Sequence, residues 1–143
     1  MQHKKRSNQT GFSMIELLVV ATLIIILTTI GLVSYSKSLL NSRNAKRKTD
    51  LETIRQALVM YKLDNGRYPN LTNVQIAGGN NDLGITTYLQ SEPEDPKHDG
   101  VTYYYEYTGT GTCAAGPPAG CTGFSLTARL EPGGATVHTV LNP

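Results

Sequence analysis

Residues 12–33 read "FSMIELLVVATLIIILTTIGLV", a run of 22 residues in which Glu16 is the only charge and Ser13, Thr22, Thr28 and Thr29 are the only hydroxyls. As a helix at roughly 1.5 Å per residue it would span about 33 Å, enough for a hydrocarbon core of roughly 30 Å. A fold for this chain must therefore place one long apolar helix in a membrane or against apolar neighbours. The run exceeds the roughly 7 to 15 apolar residues of a cleavable secretory signal, and "VVA" at residues 19–21 makes a poor small-x-small cleavage site. Lys4, Lys5 and Arg6 precede it, and Lys37, Arg43, Lys46, Arg47 and Lys48 follow it, so the distribution of positive charge alone does not orient it.

The helical pattern does not stop at residue 33. No proline occurs before Pro69, and Leu51, Ile54, Leu58 and Tyr61, with Ala57 beside them, mark one face of an amphipathic helix. In "DNGRYP", Asn65 and Gly66 are left-handed terminators and Pro69 is a hard stop. One helix over residues 12 to about 63 would be on the order of 78 Å long. Its first half is apolar all round, whereas its second half needs a partner on one face only.

That partner must come from the rest of the chain. "VTYYYEY" (101–107), "FSLTARL" (124–130) and "ATVHTVL" (135–141) carry β-branched, aromatic and alternating residues between turn-forming "GTGTC", "CTG" and "EPGG". They predict three antiparallel strands. Phe124, Leu126, Ala128 and Leu130 alternate with Ser125, Thr127 and Arg129, so one sheet face can cover the helix stripe and the other meets water. Residues 64–100 predict an irregular connector, with "LGITTYL" as one helical turn or a short strand. The expected class is α+β, a long N-terminal helix packed on a small antiparallel sheet of about three strands. Its expected segments are a basic leader (1–11), a membrane or filament-core helix (12–33), an amphipathic helix (34–65) and a β-rich head (66–143).

The chain of 143 residues carries a formal charge of +2, but Lys4, Lys5 and Arg6 account for the excess. Without them ten basic residues face eleven acidic ones, which removes any whole-protein argument for nucleic-acid binding. Catalysis finds no footing either: His3, His98 and His138 lie near no nucleophile arrangement, and there is no phosphate-cradling glycine loop or metal-ligand spacing. No enzyme activity and no cofactor are expected.

"TGFSMIELLVVATLIIILTTIGLVSY" resembles the processing site and N-terminal helix of type IV pilins and of the related pseudopilins of type II secretion. "RQALVMYKLDNGRYPN" and "DPKHDGVTYYYEY" resemble the helix end and first strand of their globular heads. The resemblance implies a leader cut after Gly11 on the cytoplasmic side by a prepilin peptidase, and N-methylation of the new terminus at Phe12. It further implies a single-pass subunit of the cytoplasmic membrane whose head lies outside, handed by an inner-membrane assembly platform into a homo-oligomeric helical filament. That filament would be an extracellular pilus or a periplasmic pseudopilus.

In such a chain Glu16 lies one helical turn from the new amine of Phe12, and a carboxylate in apolar surroundings is costly unless paired. The amine of its own subunit, or of a neighbour shifted along the filament axis, can supply the partner. An ion pair at roughly 4 Å with an effective dielectric near 20 gives about 4 kcal/mol before desolvation is subtracted. A mis-registered neighbour would leave the charge unpaired, so register is the principal gain. The competing reading of Glu16 is a carboxylate that snorkels to the interface and complements the helix N-terminus. Gly31 permits a bend or simply close helix contact, and the apolar segment lacks the proline that many pilins carry there.

Cys113 and Cys121 are the only cysteines, separated by "AAGPPAG". An even count in an exported domain favours a disulfide, worth roughly 2 to 3 kcal/mol by chain entropy, and two cysteines without clustered histidines make a poor zinc site. Glu92, Glu94, Asp95 and Asp99 lack the spacing of a known calcium loop and read as a solvated turn. Major pseudopilins commonly hold calcium in a C-terminal loop, whereas "TGTGTCAAGPPAGCTG" has no acidic residue. This departure favours a structural subunit of a type IV pilus, with a secretion pseudopilin, or a minor pilin for adhesion or DNA uptake, as alternatives. DNA uptake would use basic residues on an exposed filament, but the head has no aromatic-interleaved basic patch. Residues 37–67 hold eight Lys and Arg against three acids, and residues 68–143 two against seven, a pattern that sets basic stems against acidic heads between subunits or marks a solvated, lipid-facing helix.

Overall fold

A computed structural model describes residues 11–79, 81–117 and 119–143. The expected leader therefore lies almost entirely outside the described residues. Helix α1 spans Met14–Asn65 and runs through two compact units that divide after Ser38.

In the first unit the helix is exposed on all sides, and by length and composition it is apolar enough to cross a membrane. Four of its hydroxyls are satisfied without water. The Thr22 hydroxyl donates to the Val19 carbonyl at 2.8 Å, Thr28 to Ile24 at 2.7 Å, Thr29 to Ile25 at 2.8 Å and Ser36 to Leu32 at 3.1 Å. Polar side chains satisfied within their own turn carry little penalty in hydrocarbon. A Cβ on Gly31 would meet nothing within 4 Å, so no close contact within the chain requires glycine there.

The second unit holds the core. Leu51, Ile54, Ala57 and Leu58 on α1 pack against Tyr105, Tyr107, Phe124, Leu126, Ala128 and Val140 of the sheet, with Tyr68, Ile76, Leu83 and Ile85 closing the sides. Tyr61 is half-buried at the margin. Gly66 ends the helix, taking φ +77° and donating its N–H to the Lys62 carbonyl at 2.7 Å, a backbone state that costs glycine nothing.

The sheet has four strands in sequential antiparallel order: β1 (Val74–Ile76), β2 (Tyr105–Ala114), β3 (Gly120–Leu130) and β4 (Thr136–Leu141). Its inner face is registered by Tyr107 opposite Leu126, and Leu126 opposite Val140. Three of these strands match the expected runs with shifted ends, and β1 is additional. "VTYYYEY" enters the ladder only at Tyr105, because Asp99 Oδ1 accepts the N–H groups of Val101, Thr102 and Tyr103 at 3.0, 2.7 and 2.8 Å and folds them into a turn. "GTGTC", expected as a boundary, lies inside β2, and "LGITTYL" forms a turn in which Tyr88 and Leu89 donate to the Ile85 carbonyl. Three residues of β1 are too few for periodicity to reveal.

Candidate functional site

The N-terminal site is built by the first turn of α1. Ser13 precedes the helix and its N–H donates to Glu16 Oε2 at 2.9 Å, while the Ile15 N–H donates to Ser13 Oγ at 3.4 Å. The bond to Glu16 is the carboxylate half of a capping box, with Ser13 Oγ accepting from the second helical residue in place of the third; the pattern is written in the sequence as "SMIE" and was not read there as such. Glu16 is thus held by its own subunit, through one oxygen, as a helix cap. The interfacial reading of Glu16 as a complement to the helix N-terminus has a geometric basis in the single chain. Phe12 is 83% exposed, and a Cβ on Gly11 would meet nothing within 4 Å, so packing supplies no reason for glycine at that position.

In the head, Cys113 and Cys121 are joined by a disulfide and stand directly opposite each other where β2 and β3 pair. Cys121 also exchanges two backbone hydrogen bonds with Tyr68, at 2.9 and 3.0 Å, which ties the segment after α1 to the hairpin.

The head contains an ionic cluster that sequence reasoning missed. Arg47, fully buried, donates through Nε and Nη2 to both oxygens of Asp95 at 2.7 and 2.9 Å, and through Nη1 to Glu131 at 2.9 Å. Arg43 closes a two-bond fork on the Glu131 carboxylate at 2.7 Å for each bond, and Lys97 approaches the same group at 3.4 Å. Asn44 caps the turn after β3, donating to the Glu131 carbonyl at 2.8 Å and accepting the Glu131 N–H at 2.9 Å. The Arg43 fork, with help from Arg47, outweighs burial and holds the Glu131 carboxyl down to about 2. Burial works against the charge on Arg47, but its bonds to Asp95 and Glu131 prevail. Its guanidinium also lies 4.9 Å from the centre of the Tyr103 ring. Next to it, the Tyr105 hydroxyl donates to Asp50 at 2.7 Å, and burial together with that bond pushes the phenol well above its ordinary value.

A signal was present in the sequence: Arg47 lies four residues before Leu51, in line with the buried stripe. A buried arginine requires paired carboxylates, and these come from Asp95 and Glu131, far away in sequence. Asp95 was read as part of a solvated turn; it is fully buried on the arginine. Glu92 is buried too, its carboxylate accepting the N–H groups of Asp82 and Leu83 at 3.1 and 3.0 Å, and burial raises its pKa. Only Glu94 and Asp99 of that acidic run are exposed.

Among the described residues, no group of three or more His, Cys, Asp or Glu could hold a metal ion. The tip of the β2–β3 hairpin, residues 108–123, in particular offers no carboxylate, so its residues do not fit a calcium ion of the kind pseudopilins commonly carry.

Comparison with known proteins gives three results. The family described as Type II secretion system (T2SS), protein G matches residues 35–115, more than half of the chain. The prokaryotic N-terminal methylation motif matches residues 6–32, which include Gly11, Phe12 and Glu16. The type II secretion system core protein G of Vibrio cholerae is 36% identical over 66 residues, 46% of this chain and 45% of that protein, so the chain aligns with less than half of that relative's length. No solved structure matches significantly.

Proposed function

Because the chain belongs to the type II secretion system protein G family, we propose that it is a core pseudopilin, the repeating subunit of a periplasmic filament that serves protein secretion. As a member of the pilin and pseudopilin group it is a structural subunit and not an enzyme. The observation that carries the secretion reading is the protein G match over residues 35–115, which spans the second half of α1 and the head through β2. In this reading a prepilin peptidase removes the residues before Phe12 and the new amine is methylated. The apolar first half of α1 holds the subunit in the cytoplasmic membrane until an assembly platform draws it into the filament. Glu16 is the carboxylate that meets the Phe12 amine of a neighbour and sets the axial register.

One observation favours a second reading, the type IV pilus subunit preferred from sequence alone: the carboxylate-free hairpin tip, residues 108–123, that does not suit calcium. The family match outweighs it, since it covers the second half of α1 and the head through β2 whereas the hairpin tip is one segment. Deletion of the gene separates the two. A secretion pseudopilin predicts loss of folded exoproteins from the medium with surface filaments retained; the reverse outcome makes the protein a pilus subunit. Intact mass of the assembled form tests processing, with a chain beginning at N-methylated Phe12 expected and an uncut leader contradicting it.

A further inference from the structure

Past the end of α1 the chain runs "RYPNLTN", in which Asn70-Leu71-Thr72 is the Asn-x-Thr pattern of an N-glycosylation acceptor. So short a pattern carries weight only through its placement. The backbone on both sides of Asn70 is pinned. Tyr68 exchanges two hydrogen bonds with Cys121, the Pro69 carbonyl accepts the Tyr107 hydroxyl at 2.8 Å, and the Leu71 carbonyl accepts the Gly109 N–H at 2.7 Å. Asn70 and Thr72 are nonetheless exposed. The Asn70 carboxamide oxygen lies 3.5 Å from Cys121 Sγ, but that sulfur is in the disulfide and has no hydrogen to donate. Among the described residues, neither the Asn70 amide nor the Thr72 hydroxyl has a hydrogen-bond partner. Both are open to an enzyme in the folded head. Beside Asn70 lies a cavity of about 330 Å³, walled by Tyr61, Leu71, Asn81, Asp82 and Gly84. An aromatic ring among carboxamide and carboxylate groups suits a sugar, which has apolar ring faces and hydroxyls at its edge. Asp82 gives Oδ2 to the Ala77 N–H at 2.8 Å and keeps its other oxygen for such a hydroxyl.

We propose that Asn70 carries an N-linked saccharide whose first sugar is seated in this cavity. The co-reactant is a glycosyl diphosphate. Asn70 Nδ2 forms a bond to the anomeric carbon of the sugar while the bond from that carbon to the diphosphate oxygen breaks. The diphosphate leaves with the electron pair, and one amide proton passes to a base of the transferase. Nothing is oxidised or reduced. Tethering selects a linked sugar over a free ligand: the cavity is open and its polar groups are few, so it suits a group that the covalent bond already holds at high local concentration. The other Asn-x-Thr pattern, Asn8-Gln9-Thr10, precedes Phe12, so a chain that begins at Phe12 has Asn70 as its single acceptor of this kind. The inference holds for a subunit of either filament.

The test is mass spectrometry of the full chain taken from the cells that naturally make it. Cleavage after Arg67 and Lys97 releases residues 68–97, and this peptide should be heavier than its sequence by whole sugar units, with fragmentation placing them on Asn70. Asn70→Gln and Thr72→Ala should each remove the added mass, and Thr72→Ser, which keeps the hydroxyl, should retain it. Thiol labelling under denaturing conditions, with Cys113 and Cys121 still blocked, reports that the head has folded in each variant. Hydroxyl-radical oxidation of Tyr61 in the intact protein reads the seat. It should rise in Asn70→Gln, where no sugar covers the cavity. An unmodified Asn70 in the natural chain, sugar on a serine or threonine instead, or full modification in Thr72→Ala would each overturn the proposal. Equal oxidation of Tyr61 in a glycosylated chain and in Asn70→Gln would take the sugar out of the cavity and overturn that part of it.

Discussion

Glu16 and Glu131 show how differently two carboxylates can be used in one chain. Glu16 was legible from the sequence as a charge out of place, but its hydrogen bond to the Ser13 N–H was not used, although the four letters "SMIE" carry it. Capping and register now make distinguishable predictions. Glu16→Gln keeps an oxygen that can accept the Ser13 N–H and loses only the charge; Glu16→Ala loses both, including a cap worth about 0.5 to 2 kcal/mol. If pairing with a neighbour's Phe12 amine governs assembly, both variants should insert and be processed yet assemble few filaments. Filament yield at the wild-type level in the Gln variant would leave Glu16 with the capping role alone. Glu131 makes a pH prediction. Its carboxyl titrates at about 2 in the fold against an ordinary 4.5, so its contribution to stability is complete above about pH 4.5 and is lost as pH falls toward 2. Glu92 acts with the opposite sign: its raised pKa means that protonation on acidification favours the fold. Glu131→Gln should therefore lower the melting temperature at neutral pH and flatten its fall between about pH 5 and pH 3. Parallel wild-type and variant curves over that interval would remove Glu131 as the group responsible.

At the scale of elements, the helix was the most legible part and the strand ends the least. Apolar residues at helical spacing and a terminating Asn-Gly-x-x-Pro are local signals, and α1 ends at Asn65, within two residues of the expected end. Strand ends are decided by partners that are remote in sequence. Asp99 withholds residues 101–103 from the ladder, and β2 continues through Gly109 because its neighbours leave room for nothing larger. A Cβ on Gly109 would come within 2.6 Å of Cys121 Sγ and 3.0 Å of the Pro69 carbonyl. Gly109→Ala should thus cost about 1 to 3 kcal/mol by overpacking, measured by denaturation of the oxidised protein. The disulfide was expected in a turn between strands; it lies within the ladder instead, and β2 and β3 are longer than the flanking composition suggested. Reduction, or Cys113→Ser with Cys121→Ser, should lower stability by roughly 2 to 3 kcal/mol. The loss should be felt first at Tyr68, whose backbone bonds to Cys121. Hydrogen exchange at the Tyr68 N–H that stays as slow as in the oxidised protein would contradict that localisation.

On the scale of the whole molecule, composition left two readings of the charge blocks open, basic stems set against acidic heads between copies or a solvated, lipid-facing helix. The structure spends much of that asymmetry inside one head. Arg43 and Arg47 are taken by Asp95 and Glu131, Arg55 pairs with Glu52 at 2.7 Å, and Lys46 approaches Asp50 at 4.0 Å. Glu92 is buried on backbone N–H groups, and the Asp64 carboxylate accepts the Tyr88 hydroxyl at 2.8 Å. The charge blocks visible in the sequence therefore overstate what is free to act between subunits, because a linear count cannot see which arginine finds its carboxylate at home. What one chain leaves unsatisfied is apolar: Ile15, Leu18, Ile25, Leu27, Ile30 and Leu32 on the first half of α1 are each more than 60% exposed. Cohesion of an assembled filament should then be governed by apolar burial, which added salt does not weaken. At about 1 M salt the screening length falls to roughly 3 Å and exposed ion pairs lose most of their strength. Filaments sheared from cells should keep their length on transfer from low salt to about 1 M sodium chloride, and should fall apart in detergent that competes for the helix surface. Disassembly by salt alone, read as loss of pelletable filament, would restore the stem-to-head charge contacts as the dominant adhesive and displace the helix from that role.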